Sequence, residues 1–235
     1  MTFTPLPRTT GRIAYRFAST NVLWGIEDWS VTTDADGNMT LEVHCEMAHD
    51  GKDVVRATTL TVDRDFQPLD AFVRIWNQGH CTGTGWFRFN EGLAECEAWT
   101  QEKGRITQRE DYRSPLRGFG VHALIGDGWL AAPCDLSQGA GTDFYFGKNL
   151  IHSLDHLGAT GPEIETTTSG LRYKGQEQVT VPAGTFECDR FEIVGIVNDH
   201  PPYDFWITTG GLRLYVKGTV AGYMDSVFLL EELCE

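Results

Sequence analysis

Four of the chain's seven histidines, His122, His152, His156 and His200, lie in or after a stretch rich in Asp, Tyr and Gly. A neutral imidazole takes up a proton near physiological pH and so makes an efficient general base. Asp127 or Asp155 could orient such a ring, while Tyr145 or Tyr215 could steady a developing oxyanion. His122, His152 and His156 are the leading catalytic candidates. His152 and His156 stand four apart, the spacing of one helix face, and His122 or Asp143 could then complete a metal set. Position 153 is Ser, however, where an HExxH site needs its Glu. The expectation is therefore acid–base chemistry with no metal and no cofactor.

Alternating polar rows supply the other candidates. Asp204, Trp206 and Thr208 share one side of a strand, and Arg213, Tyr215 and Lys217 share one side of the next. Facing a lumen, Asp204 and Lys217 would form an acid–base pair with Tyr215 as donor. Facing water, such cross-strand pairs contribute about 0.2–1 kcal/mol each. Phe72, Arg74 and Trp76 form another row, and Trp86 with Arg88 a further one. A buried Arg needs a partner or a ligand, and guanidinium groups grip anions and stack on rings. Trp24, Arg74, Trp76, Trp86, Arg88 and Trp206 are thus the candidate substrate contacts, the alternative being an outer face with scattered aromatics. Trp24 with Asp28 and Ser30, and His44 with Glu46, are weaker rows of the same kind.

The elements that must position these residues read as strands. Period-two alternation with turn signals marks residues 12–18, 23–33, 39–48, 54–62, 71–76, 83–89, 93–100 and 105–113. His49-Asp50-Gly51 is a tight hairpin turn. Alternation fades over 114–165, where short helices are expected around 123–130 or 144–156. A long irregular stretch in a compact protein is usually a functional loop, a lid or a missed element. Strand patterns resume at 171–180, 186–197, 203–209, 212–220 and 223–233, with Gly210-Gly211 as a hairpin signal. The predicted fold is all-β and mainly antiparallel: one large curved sheet or lipocalin-like open barrel, a single domain over 1–235 with a loop-rich insertion.

Bulk properties exclude several classes. The chain has 235 residues, and its 33 acidic against 19 basic side chains give a net charge of −14. That surface repels phosphate backbones, so nucleic acid and membranes are not expected partners. No apolar run reaches the length of a signal h-region or a membrane helix, which predicts a cytoplasmic protein. Six widely spaced cysteines with no CxxC read as reduced thiols. GxGxxG after a strand, GxxxxGK[ST] and GxSxG are all missing, which argues against nucleotide-dependent and α/β-hydrolase chemistry.

The stretch from Gly175 to Cys188, with Val181-Pro182-Ala183-Gly184-Thr185-Phe186 at its centre, followed by Phe191-Glu192-Ile193, resembles a turn box of uncharacterised bacterial β-rich proteins of the DUF3108 type. The resemblance runs from Tyr173 through the terminal strands. It implies a curved, lipocalin-like sheet and is nearly silent about chemistry. Pro182 fixes φ and Gly184 permits positive φ, so the box reads as turn-forming.

These readings favour a cofactor-independent enzyme, an isomerase, hydratase/dehydratase or lyase using His/Asp/Tyr chemistry on a small apolar or aromatic molecule. The alternatives are a carrier for a lipid, steroid-like or aromatic ligand, and a structural domain without a cavity. Monomer and homodimer both stay open.

Overall fold

In the third strand, Leu41, Val43, Cys45 and Met47 are buried while Glu42, His44 and Glu46 between them are exposed. Side chains two apart leave a pleated strand on the same side, so this one pattern gives the sheet an apolar inner face and a wet outer one. The turns fit as well. Asp50 (φ 51°) and Gly51 (φ 74°) form the two-residue link after this strand. Positive φ at both central positions is the type I′ geometry whose twist matches paired strands.

A computed structural model describes residues 5–195 and 200–234. It contains a sheet of 15 strands. The first half is a meander: β1 (Arg8–Phe17), β2 (Leu23–Thr33), β3 (Met39–His49), β4 (Lys52–Val62), β5 (Pro68–Asn77), β6 (His80–Asn90), β7 (Leu93–Thr100) and β8 (Gly104–Asp111). The insertion follows, with β9 (Phe119–Gly120), α1 (Leu124–Leu130), a 3-10 turn at Leu136–Gln138 and β10 (Asp143–Ile151). Then come β11 (Glu165–Val181), β12 (Gly184–Val194), β13 (Tyr203–Thr208), β14 (Tyr215–Val220) and β15 (Ser226–Cys234).

The two meanders join where β1 pairs with β15, so the terminal strands lie side by side. Pairing is antiparallel throughout except between β9 and β10. The strand order runs from β8 at one edge to β9 at the other, so the curved sheet does not close into a barrel. This matches the curved-sheet expectation. The box from Val181 to Phe186 is the turn of the β11–β12 hairpin, with Phe186 packed half-buried against the core.

The insertion fills the inner face. Phe119 packs 4.8 Å from Phe87 and 4.9 Å from Phe89, ring centre to ring centre. Trp129 lies against Phe66 and donates its indole N–H to the Leu212 carbonyl at 3.0 Å. The insertion thus bonds to the interior of both halves.

Two local expectations change. The helix foreseen at 144–156 is strand β10 followed by a loop; Gly147 (φ 71°) sits in a bulge that breaks its alternation. The strand foreseen at 212–220 begins only at Tyr215, because residues 209–214 form a wider turn closed by Thr208 N–H to the Leu214 carbonyl at 2.9 Å. Of the strand foreseen at 186–197, positions 196 and 197 lie outside the described residues.

Candidate functional site

Between the insertion and the inner face of β10–β15 lies a cavity of about 220 Å³. Helix α1 contributes Leu124, Asp127 and Leu130, and His122 precedes it. The loop after β10 contributes Ser153, Leu154 and His156. His200 and Tyr203 approach at the start of β13, and Ile193, Val220 and Phe228 form apolar wall.

Asp127 is the carboxyl group at this wall. Burial pushes its pKa up to about 7, against the opposing effect of its hydrogen bond with Tyr203. The Tyr203 hydroxyl donates to Asp127 Oδ2 at 2.7 Å and stands 3.0 Å from the Tyr215 hydroxyl. Tyr203 carries one proton, so with Asp127 ionised the second bond is donated by Tyr215. Both phenols are buried and hold their protons, their pKa values raised well above 10.0 chiefly by burial. The close pass of Tyr215 requires Gly218, since a Cβ there would stand 1.7 Å from the Tyr215 hydroxyl oxygen.

His122 is held as a neutral ring. Its Nε2 stands 2.9 Å from the Ser153 carbonyl, so Nε2 carries the proton and Nδ1 keeps its lone pair. Burial and then the charge of Arg56 push its pKa down to about 4. His152 packs edge-on at 4.9 Å from His122. Its ring nitrogens face the carbonyls of Gly120 at 3.3 Å and Gly158 at 3.5 Å, and burial holds it well below 6.5. His156 meets His200 edge-on at 5.3 Å. His200 is shifted down by burial, and its Nδ1 stands 2.7 Å from the Pro201 carbonyl.

Two buried charges of the sheet support this arrangement. Glu27 on β2 accepts the backbone N–H of Leu124 and of Ile125, each at 3.0 Å, and the Tyr15 hydroxyl at 2.6 Å. It therefore satisfies the first donors of α1, which are otherwise orphaned. Arg56 on β4 donates to the carbonyls of His122 and Leu157. Cys45 pairs with both Glu27 and Arg56 in register, which places the two charges in one cross-strand row on either side of it.

The sequence candidates divide between this site and the rest of the molecule. His122 and His156 line the cavity, as does His200. His152 lies behind His122, and Tyr215 lies behind Tyr203. Asp155 shapes the loop, accepting from the N–H of Leu157 at 3.0 Å and Ala159 at 3.2 Å and from Lys52 at 3.4 Å. His152 and His156 do not share a helix face, because no helix forms there. Among the described residues no group of three or more His, Cys, Asp or Glu is placed to hold a metal ion.

The remaining candidates lie away from the cavity. Tyr145 is 67% exposed and donates to Asp143 at 3.3 Å, because it alternates with Phe144 and Phe146, which pack against the core. Asp204 accepts from Arg190 at 2.6 Å on the outer face, and Lys217 lies 4.8 Å above the Trp206 ring beside it. Asp204 and Lys217 therefore form no lumenal acid–base pair. The expected Tyr215–Lys217 row is split by the irregularity at Trp206/Ile207, where Lys217 pairs with Trp206 but Tyr215 with Ile207. Trp206 is covered by Arg190 and Lys217 and donates to Glu177 at 2.6 Å. Arg74 lies 5.7 Å from Phe72 and 5.8 Å from Trp76, and Arg88 lies 4.5 Å over Trp86, all on the outer face. Trp24 is core, packed on Tyr15 at 5.1 Å and His49 at 4.8 Å.

Sequence reasoning gave Asp127 only an orienting role and missed Tyr203, Glu27 and Arg56. Tyr203, Phe205 and Ile207 are the inward row opposite Asp204 and Trp206. Arg56 interrupts the apolar inward row Val54, Leu60 and Val62, which is a legible sign of a buried charge with a task.

No protein-family model matches the chain, and no curated protein does, so the DUF3108 resemblance is not shown. Among solved structures, a β-barrel-like protein of the DUF1849 domain of unknown function from Brucella abortus superposes with a TM-score of 0.58 at 11% identity over 97% of each chain. A DUF1089 family protein from Pseudomonas aeruginosa gives 0.43 at 8% identity, over 85% of this chain and 90% of that one. A protein with a YmcC-like fold from Bacteroides fragilis gives 0.40 at 9% identity, over 97% and 95%. No helix among the described residues is long and apolar enough to cross a membrane. The chain thus shares the β-barrel-like fold of an uncharacterised β-rich protein.

Proposed function

We propose that the protein is a cofactor-independent acid–base enzyme acting on a small, largely apolar or aromatic molecule, with Asp127 as the proton-transferring group. The observation that carries this reading is a buried carboxyl group at the wall of a mostly apolar cavity, hydrogen-bonded at 2.7 Å to Tyr203 and through it to Tyr215. A catalytic acid or base works best with a pKa near the working pH, and burial gives Asp127 that property. As a carboxylate it takes a proton from a carbon next to a carbonyl. As an acid it returns that proton to another carbon in an isomerisation, or to a departing hydroxyl in a dehydration. On the β10–β11 wall the Asn149 amide donates to Ser169 Oγ at 2.5 Å, which leaves the Ser169 O–H and the second Asn149 N–H for a carbonyl oxygen. The cavity is modest: roughly 150 Å³ suffices for benzene in an engineered apolar cavity, so a single-ring or short-chain molecule fits about 220 Å³. A reducing, cytoplasmic setting belongs to the same proposal and rests on six cysteines that are unpaired in the fold.

The test is solvent deuterium uptake into a panel of small enolisable carbonyl compounds, followed by NMR. The wild-type protein should catalyse uptake, with a rate that climbs as pH rises through about 7 while Asp127 ionises. Asp127→Asn should slow uptake by about 100-fold or more and leave binding within a few-fold. Binding without uptake by any compound would replace this reading with that of a carrier.

A further inference from the structure

Resting on the acid–base reading, we infer that the cavity selects uncharged carbonyl compounds and rejects molecules bearing a carboxylate, phosphate or ammonium group. The inference rests on which charges reach the cavity and which do not. No Lys or Arg lies among its described lining residues. The nearby buried cation, Arg56, is not in the lining and already donates to the carbonyls of His122 and Leu157. The first amides of α1, which could otherwise attract an anion, are bound to Glu27.

An anionic ligand would therefore be buried beside Asp127 with no Lys or Arg in the described lining, and burial disfavours the charged form of two of the imidazoles there, His122 and His200. Burying an unpaired charge is among the costliest steps in binding. An ammonium group meets the opposite problem. It could pair with Asp127, but it would lose its hydration in an apolar enclosure, which ion pairing often fails to offset. It would also hold the carboxylate in a salt bridge and remove the base. A ketone, enone or lactone avoids both penalties: its oxygen needs only the donors on the wall, and its body lies against Leu124, Leu150, Ile193 and Phe228.

The experiment compares three ligands of similar size, benzylacetone, hydrocinnamate and phenylpropylamine, by titration calorimetry on the full chain. Benzylacetone should bind at least about tenfold more tightly than either charged ligand. Asp127→Asn should narrow the handicap of hydrocinnamate while leaving benzylacetone within a few-fold. Equal or tighter binding of either charged ligand overturns the inference, and so does failure of benzylacetone to bind. Selectivity for the ketone without deuterium uptake would sink the acid–base reading and leave the ligand class standing. Uptake without selectivity would do the reverse.

Discussion

Asp127 and His122 respond to the same burial in opposite senses, and the consequence is measurable as stability against pH. Asp127 has a pKa of about 7 in the fold against an ordinary 3.8. The folded state holds its proton more tightly, so this contribution is fully present below the ordinary value and lost as pH rises through about 7. His122 sits at about 4 against an ordinary 6.5. Its contribution is present above 6.5 and lost as pH falls toward 4. The two slopes oppose each other in the acid range, where His152 adds to the histidine side. Asp127→Asn should therefore make stability, measured by urea unfolding at successive pH values, rise more steeply from acid to neutral pH. His122→Asn should flatten that rise, and Asn tolerates the positive φ of 54° at this position. Identical slopes in all three proteins would show that neither group is buried as described. At this scale the sequence was only partly legible. It singled out His122 and His156, but a single bulge decided that Tyr215 turns inward and Lys217 outward.

Helix α1 spans seven residues and has no side-chain cap of its own. A helix so short is marginal by itself; it is held here from outside, by Glu27 at its first amides and by Arg56 at the carbonyl of His122 just before it. Glu27→Ala leaves two amides and the Tyr15 hydroxyl without an acceptor, and should destabilise the protein by about 3 kcal/mol or more. Arg56→Met leaves two buried carbonyls without their donor and should cost about 2 kcal/mol or more. Hydrogen exchange should localise both effects to residues 118–158. Loss of stability with unchanged exchange in that segment would assign the two charges to the sheet instead. The helix was legible from the sequence as 123–130, whereas its anchors were not, since they lie far away in the chain.

Across the whole molecule the two faces of the sheet should respond very differently to substitution. Trp86 and Trp99 are 42% and 44% exposed on the outer face, while Phe205 is fully buried between Phe191 and Tyr215. Trp86→Ser and Trp99→Ser should change unfolding free energy by about 0.5 kcal/mol or little more, whereas Phe205→Ala should cost about 3–5 kcal/mol. Comparable losses at all three positions would mean that the outer aromatics are covered in solution. The Arg–Trp rows that looked like a ligand grip lie on that outer face, because pairing with their neighbours turned the intervening apolar residues inward.

What the sequence determined by itself was the alternation, the turns and the irregular character of residues 114–165. These depend on neighbours one to four positions apart, so a strand-rich curved sheet with an inserted segment could be read without coordinates. The tertiary structure alone decided which polar residues share a cavity. Asp127 meets Tyr203 across 76 positions, and Glu27 meets Ile125 across 98. Contacts of that range follow from the path of the whole sheet and from its bulges, and no local pattern encodes them.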